Sequence, residues 1–427
     1  DSWKQPSEYE HGRKFVDVVS QNPKDYIAFI NKLIDDNEVS NTYVVKALEG
    51  LKEGKIDVDI LKSLFVKTIT TRQFEKENTL YLIWLTRYFT ENKKVYPEVL
   101  NFLKEHLING DEGRENPTDG LSTGINSVRG SAASSLVDYS FSKDTFKLVC
   151  EYLELLVGNS KPSTRTAAIY KMQYLLQHGK EHIVNLFLKL SDDYDASFLK
   201  TSINPLQYLV HYKFERLIPF FEEALKVKDA SKEIGKLITV GYCNNYEGAD
   251  DLLELFLKNN EPNSIIRTAF EFIENEHKIS KALTLVMRFL DSNIKEIGEI
   301  YNRSFFHLKS TQFNQIRDFL FEYVKAPVGI WREHPFYDFL LKSSNEHFND
   351  CILLASTYKN HYGPDVTQRG LRNEPLRVII NSYNAIREYD KTSLILEKAM
   401  DAFDDMLNNE NYRDSTARQI LKDVDAY

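Results

Sequence analysis

Few residues in this 427-residue sequence have the types and spacing that catalysis or metal binding requires. His178 and His182 are separated by one helical turn, which would place two imidazoles on one helix face. Gly179 interrupts the helix there and the spacing implies no third ligand, so a structural role for the pair is favoured. No GxxxxGK[ST] or GxGxxG phosphate loop and no GxSxG turn occurs. The sequence therefore predicts no enzyme activity, metal site or cofactor in this chain.

The cysteines indicate the cellular compartment, and the net charge indicates the class of partner. Cys150, Cys243 and Cys351 lie far apart with no CxxC pair, which favours a reducing, cytoplasmic location, and Cys150 falls on an apolar helix stripe as a core residue. The formal net charge of −9 argues against a nucleic-acid partner. No apolar run is long enough to cross a membrane. Because the chain begins at Asp1 without Met, we expect it to be a piece of a longer protein.

Apolar residues recur with the period of an α-helix along most of the chain. The series Tyr81, Trp84, Leu85, Tyr88 and Phe89, for example, follows i, i+3, i+4, i+7 and i+8. Only 17 Gly and 12 Pro interrupt 427 residues, too few for the turns of a many-stranded sandwich or barrel. The pattern predicts about twenty amphipathic helices, each of roughly 10–18 residues.

Capping residues mark where several of these helices should begin. Ser40, Asp57 and Ser142 each precede an apolar stripe and have side-chain oxygens suited to cap a helix N-terminus. Asn22 before Pro23 predicts a further helix, with proline in its first turn. Short connections between the helices predict antiparallel neighbours.

The spacing of the helices predicts how they assemble. Helix pairs recur at about 35–45 residues, the interval of stacked helical repeats, although no strict consensus repeats. The predicted fold is all-α, an α-solenoid of degenerate HEAT/TPR-like helix pairs. Residues 109–124 hold four of the glycines, and we expect them to form a mobile loop that proteases cut first. This loop would separate an N-terminal helical block, 1–108, from the repeat array, 125–427.

The segment after this loop is rich in small residues. Asn126, Arg129 and Gly130 belong to a stretch in which nearly every position is small, so a neighbouring helix or loop can approach its backbone closely. The favoured interpretation is a tightly packed helix at the seam, with Arg129 bonded to loop carbonyls or an acidic partner. The alternative is a docking groove for a partner.

A second segment contains residue types common at protein interfaces. Trp331, Arg332 and Tyr337 lie in a stretch bounded by Pro and Gly, and such residues are enriched at interface hot spots. Trp331 fits better as a plug at the end of the core. Arg332 and Tyr337 are the stronger candidates for partner binding, because their polar ends can face solvent while their stems pack.

Several segments resemble the C-terminal helical region of bacterial antiviral STAND NTPases, the Avs group. They are spread over most of the chain and lie at 10–16, 22–26, 126–132, 376–379 and 396–407. In that family a helical-repeat sensor follows an effector and a P-loop ATPase, and it recognises a phage protein such as terminase or portal. The resemblance implies that this chain is the sensor and that oligomerisation uses regions outside it.

Two other functions remain as alternatives to a sensor. A free-standing HEAT-like scaffold or adaptor would have the same helical architecture but no signalling ATPase. An all-α enzyme would require a deep pocket with clustered, perturbed acids.

Overall fold

The computed structural model describes residues 8–116, 118–192, 195–227, 231–331, 334–362, 374–389 and 394–408. These residues form 23 α-helices and no β-strand, which confirms the all-α prediction. They fall into two compact units, Asp1–Ser231 and Lys232–Tyr427. The predicted seam at 109–124 lies inside the first of these units.

Thirteen α-helices belong to the first unit, together with the 3-10 helix Met172–Gln177. They are α1 (Glu8–Gln21), α2 (Ile27–Asp35), α3 (Asn41–Glu53), α4 (Val58–Thr71), α5 (Lys76–Leu85), α6 (Arg87–Glu91), α7 (Pro97–Asn109), α8 (Gly120–Ile125), α9 (Val128–Asp138), α10 (Lys143–Glu154), α11 (Pro162–Ile169), α12 (Lys180–Leu190) and α13 (Ala196–Ala224).

The remaining ten α-helices and two 3-10 helices, Ser310–Gln312 and Pro327–Trp331, follow in the second part of the chain. The α-helices are α14 (Ser231–Cys243), α15 (Ala249–Asn259), α16 (Asn263–Glu274), α17 (Ile279–Met287), α18 (Lys295–Ser304), α19 (Phe313–Tyr323), α20 (His334–Ser343), α21 (Phe348–Tyr362), α22 (Glu374–Tyr389) and α23 (Leu394–Asn408).

Three of the predicted helix starts are confirmed by side-chain caps. The Ser40 hydroxyl accepts from the Thr42 N–H, and the Asp57 and Ser142 side chains accept from N–H groups in the first turns of α4 and α10. Each cap satisfies a donor that the helix leaves unpaired. The helix expected at Asn22–Pro23 starts later, at Ile27, after a turn over 22–26.

Within each unit, several helices pack on their next-but-one neighbour in the sequence. In the first unit α1 packs on α3, α2 on α4, α3 on α5, α9 on α11 and α11 on α13; in the second, α16 packs on α18, α17 on α19 and α18 on α20. This order is typical of antiparallel helices joined by short connections.

Buried aromatic rings fill the core of each unit. Phe65 lies 5.6 Å from Phe89 and 5.4 Å from Phe102, measured between ring centroids, in the first unit. In the second, Phe305 lies 4.8 Å from Tyr323 and 5.2 Å from Phe336. Each such pair contributes about 0.5–1.5 kcal/mol beyond the area it buries, so the rings join helices that are distant in sequence.

Helix α13 is interrupted once along its length. Lys213 has φ −147° and ψ 64°, outside the helical region, and the break separates helical segments at 196–212 and 214–224. The first segment buries Phe198, Leu206 and Leu209. Its opposite face is left at the surface of the unit.

Candidate interaction surfaces

Arg129 is held entirely by contacts within the first unit. Its Nε donates to the Leu107 carbonyl at 2.7 Å, its Nη1 to the Asn159 carbonyl at 2.8 Å and its Nη2 to Asn159 Oδ1 at 2.7 Å. Nη1 also lies 3.1 Å from Glu112 Oε1, and the two side chains are only 10% and 16% exposed. The favoured interpretation of Arg129, a structural residue bonded to carbonyls and an acidic partner, is confirmed.

The glycine-rich segment beside Arg129 is also fastened to the unit. The Lys161 N–H donates to Glu112 Oε1 at 2.9 Å, and Lys161 Nζ donates to the Gly113 carbonyl at 2.8 Å. The Ser163 hydroxyl donates to Glu115 Oε1 at 2.5 Å. Residues 111–116 have no regular secondary structure, as expected for a loop, but these polar contacts bind them to the unit and helix α8 forms the end of the segment. We therefore expect the segment to resist proteolysis.

Two glycines near this segment allow three helices to approach closely. A Cβ added to Gly124 would lie 2.1 Å from the Ser163 carbonyl oxygen, and one added to Gly130 would lie 2.2 Å from the Gly124 oxygen. Real Cβ atoms do not come so near to backbone. The small residues of α9 are buried and Asn126 bonds within its own turn, at 2.8 Å from Nδ2 to the Ser122 carbonyl, so this region offers no docking groove.

The candidate partner-binding residues around 331–337 lie in different settings. Tyr337 is 1% exposed, with its ring 5.7 Å from that of Phe336, so the expectation that its polar end faces solvent is wrong. Helix α20 turns its apolar face, which includes Phe336, Tyr337 and Phe339, into the aromatic core. Arg332 and the side chain of Trp331 lie outside the described residues.

Four exposed tyrosines lie on adjoining elements of the first unit, and we call them the tyrosine surface. Tyr174 and Tyr208 are 63% and 57% exposed, and Tyr170 and Tyr212 are each 37% exposed. Tyr208 and Tyr212 are one helical turn apart on the outer face of α13. Tyr170 ends α11 and Tyr174 lies on the 3-10 helix, and both elements pack on α13.

Lysines surround one end of the tyrosine surface. Lys180 Nζ lies 5.6 Å from the centroid of the Tyr212 ring and Lys213 Nζ lies 6.0 Å from it. Arg216, one turn further on, donates to Glu181 and Asn185 of α12 and is thereby fixed. The sequence analysis missed this surface. The one sequence feature that could have indicated this surface is the position of Tyr208 and Tyr212. They lie four residues apart, on one helix face and outside the apolar stripe of α13.

One cavity in the described residues is polar and has a volume of about 820 Å³. It lies at the N-termini of α3 and α5 and carries Glu8, Glu38, Glu75 and Glu77 on its rim. Arg72 in its wall is occupied by the carbonyl oxygens of Leu33, Ile34 and Val39, at 2.9–3.0 Å. A backbone hydrogen bond at Glu75 itself, and then hydrogen bonds from the Asn78 and Asn41 side chains, hold the pKa of Glu75 below its usual range. The carboxylate nearest these amides therefore stays ionised and is unsuited to proton transfer near neutral pH.

The cysteines are buried, and the paired histidines lie against an aromatic ring. Burial raises the pKa of the Cys150 and Cys243 thiols to about 12 and raises that of Cys351 further, so none is a thiolate near neutral pH. His178 and His182 pack against Phe146, with ring centroids 5.7 and 6.1 Å away. Within the described ranges, no three His, Cys, Asp or Glu side chains are grouped to bind a metal ion.

Comparison of the sequence with known protein families gave no match, and neither did comparison with curated proteins. No helix in the described part of the chain is long and apolar enough to span a lipid bilayer.

Proposed function

We propose that this chain is a protein-recognition region, the sensor of a larger cytoplasmic anti-phage STAND NTPase. In this proposal an α-solenoid of stacked helix pairs binds a phage protein and relays binding to an ATPase and effector outside the chain. The resemblance of the segments at 10–16, 126–132 and 396–407 supports the assignment to defence. The next-but-one packing of helices supports the solenoid.

The tyrosine surface is the observation that carries protein recognition. Tyrosine is enriched at interface hot spots, because it buries a large rigid area at low cost in entropy and keeps a hydroxyl for hydrogen bonding. A partner that covers about 100 Å² of one exposed ring gains roughly 2–3 kcal/mol at 25 cal/mol per Å². Several such rings on adjoining elements together offset the translational and rotational entropy that is lost on association. The burial of a single ring is too small to do so.

A direct test is capture of individually expressed phage proteins, such as a large terminase subunit and a portal protein, by the purified chain. The variant Tyr208→Ala with Tyr212→Ala should weaken capture at least about 30-fold, since two interface rings each contribute more than 1 kcal/mol. Phe306→Ala is the matched control, because Phe306 is 53% exposed in the second unit. Equal capture by the double variant and the control would remove the tyrosine surface as the site.

The sensor and the free-standing adaptor differ in what lies upstream in the gene. A reading frame that continues upstream of Asp1 into a GxxxxGK[ST] loop would support the sensor. A complete gene without such a module, together with tyrosine-dependent capture of a protein, would instead support the adaptor.

A further inference from the structure

A second cavity among the described residues lies within the second unit, where α16 packs on α18. Its volume is about 280 Å³. Pockets for drug-sized ligands measure roughly 300–1,000 Å³, so this cavity suits a smaller molecule. We propose that it binds a small zwitterion, an α-amino acid with an apolar side chain. The lining residues that would recognise such a ligand are Arg267, Phe270, Glu271, Glu274, Ile300 and Arg303.

One face of each helix contributes to this cavity. On α16, Arg267, Phe270 and Glu271 follow i, i+3 and i+4, so they share a face. On α18, Ile300 and Arg303 follow i and i+3 and share a face in the same way. The packing of α16 on α18 brings these two faces together around a single space.

The cavity has an apolar base and a charged rim. Phe270 and Ile300 line it, although each is only 4% exposed. The side chains of Arg267, Glu271 and Arg303 line it as well and are exposed. In small-molecule sites of this kind, apolar surface supplies much of the affinity and a few polar groups fix the orientation of the ligand.

The charges on the rim are not consumed by ion pairs between the two helices. Arg267 and Glu271 are one helical turn apart, a spacing that favours an ion pair, yet neither forms one with any residue that the structure describes. Arg303 approaches only Glu299 of its own helix, at 3.7 Å from Nη2 to Oε2. The three side chains therefore keep hydrogen-bonding groups for a ligand.

Another pair of neighbouring helices in the second unit is joined by an ion pair. Arg317 of α19 donates from Nε to Asp350 Oδ2 of α21 at 2.7 Å. Across the cavity, the charged contact in the described part of the chain is between His307 Nδ1 and Glu274 Oε1, at 3.9 Å. It is an ion pair only when the imidazole is protonated. A ligand held by groups of both helices would supply the connection that Arg317 makes between α19 and α21.

The presence of both signs of charge decides the class of ligand. A simple anion would face Glu271 and Glu274, and a simple cation would face Arg267 and Arg303. A zwitterion meets both requirements, because its carboxylate accepts from the arginines while its ammonium donates to Glu271. An α-amino acid carries these two groups on one carbon, and an apolar side chain on the same carbon would cover Phe270.

The experiment is titration of the purified full chain with L-valine, L-leucine, L-isoleucine, L-methionine and L-phenylalanine, followed by ligand-observed NMR. Matched analogues lack one charge each; for L-phenylalanine they are 2-phenylethylamine and 3-phenylpropionate. At least one amino acid should saturate the chain. Both of its analogues should bind at least about 10-fold more weakly, because each has lost a charge-assisted hydrogen bond.

Variants that remove one charge test the assigned contacts. Arg267→Gln and Glu271→Gln should each weaken binding of the amino acid about 10-fold or more. Both residues are exposed, so the melting temperatures should stay close to that of the wild type. Lys258→Gln and Glu261→Gln are the matched controls, because these residues are exposed in the second unit and lie outside the cavity, and they should leave binding unchanged.

Three results would overturn the inference. They are absence of saturation below about 10 mM by all five amino acids, equal binding of an analogue that lacks one charge, and unchanged binding by both Arg267→Gln and Glu271→Gln. The inference does not depend on the proposed function, because the tyrosine surface lies in the first unit and the cavity in the second. Capture of phage proteins therefore tests protein recognition separately.

Discussion

The substitution Arg129→Ala tests whether the glycine-rich segment is part of the first unit's core framework. The guanidinium joins three parts of the chain: the last turn of α7 through the Leu107 carbonyl, the segment after it through Glu112, and the turn before α11 through Asn159. Alanine removes the Arg129 donors from these acceptors in a setting where Arg129 and Glu112 are nearly buried.

The size of the stability loss in Arg129→Ala depends on which of the Arg129 acceptors still receive a hydrogen bond from another donor. Removing one partner of a buried ion pair costs about 3–5 kcal/mol. Glu112 Oε1 still accepts the Lys161 N–H at 2.9 Å, so we expect the lower end, about 3 kcal/mol. For a unit of this size each kcal/mol lowers the melting temperature by about 2–4 °C, which predicts a decrease of roughly 6–12 °C.

Urea titration, monitored by hydrogen exchange in peptides of the first unit, measures this loss of stability without contributions from the second unit. Arg114→Ala is the control, because Arg114 lies in the same segment, is exposed and forms no ion pair in the described structure, and it should change stability by less than about 0.5 kcal/mol. A glutamyl endopeptidase should cut at Glu112 and Glu115 only in the Arg129 variant. Equal stability of the two variants, or cleavage of the wild type at these sites, would refute the structural role.

Burial predicts the outcome of two further experiments. Tyr337→Ala should lower the free energy of unfolding of the second unit by about 3 kcal/mol or more, whereas Tyr174→Ala, at a residue 63% exposed, should change stability by less than about 0.5 kcal/mol. Urea titration of both variants measures these changes. Similar values for the two variants would contradict the assigned burial. The thiols of Cys150, Cys243 and Cys351 should resist alkylation in the native chain and react after unfolding. Unfolded thiols ionise near pH 8.5 while the buried ones stay protonated. The free energy of unfolding should therefore decrease as the pH rises from about 8.5 towards 12. Substitution of the cysteines by alanine should make this decrease with pH smaller.

Local sequence determined the helices and several of their starts. The apolar period acts over a few turns, and a cap such as Ser40 or Asp57 acts within three residues, so both can be read without knowledge of distant neighbours. The burial of Cys150 followed from its position on an apolar stripe in the same way. The hydrogen-bonding role of Arg129 was also predicted, since a long cation among small residues needs acceptors nearby.

Residues distant in sequence decided the role of the glycines and the exposure of the tyrosines. Gly124 reads as a flexible loop residue, yet its lack of a side chain is required because the Ser163 carbonyl of α11 lies against it. Tyr337 and Tyr208 are the same residue type on amphipathic helices, but α20 buries the first in the second unit's aromatic core while α13 leaves the second in water. A helix's own pattern shows which residues share a face, and only the packing of the other helices determines how wide a part of that face is covered.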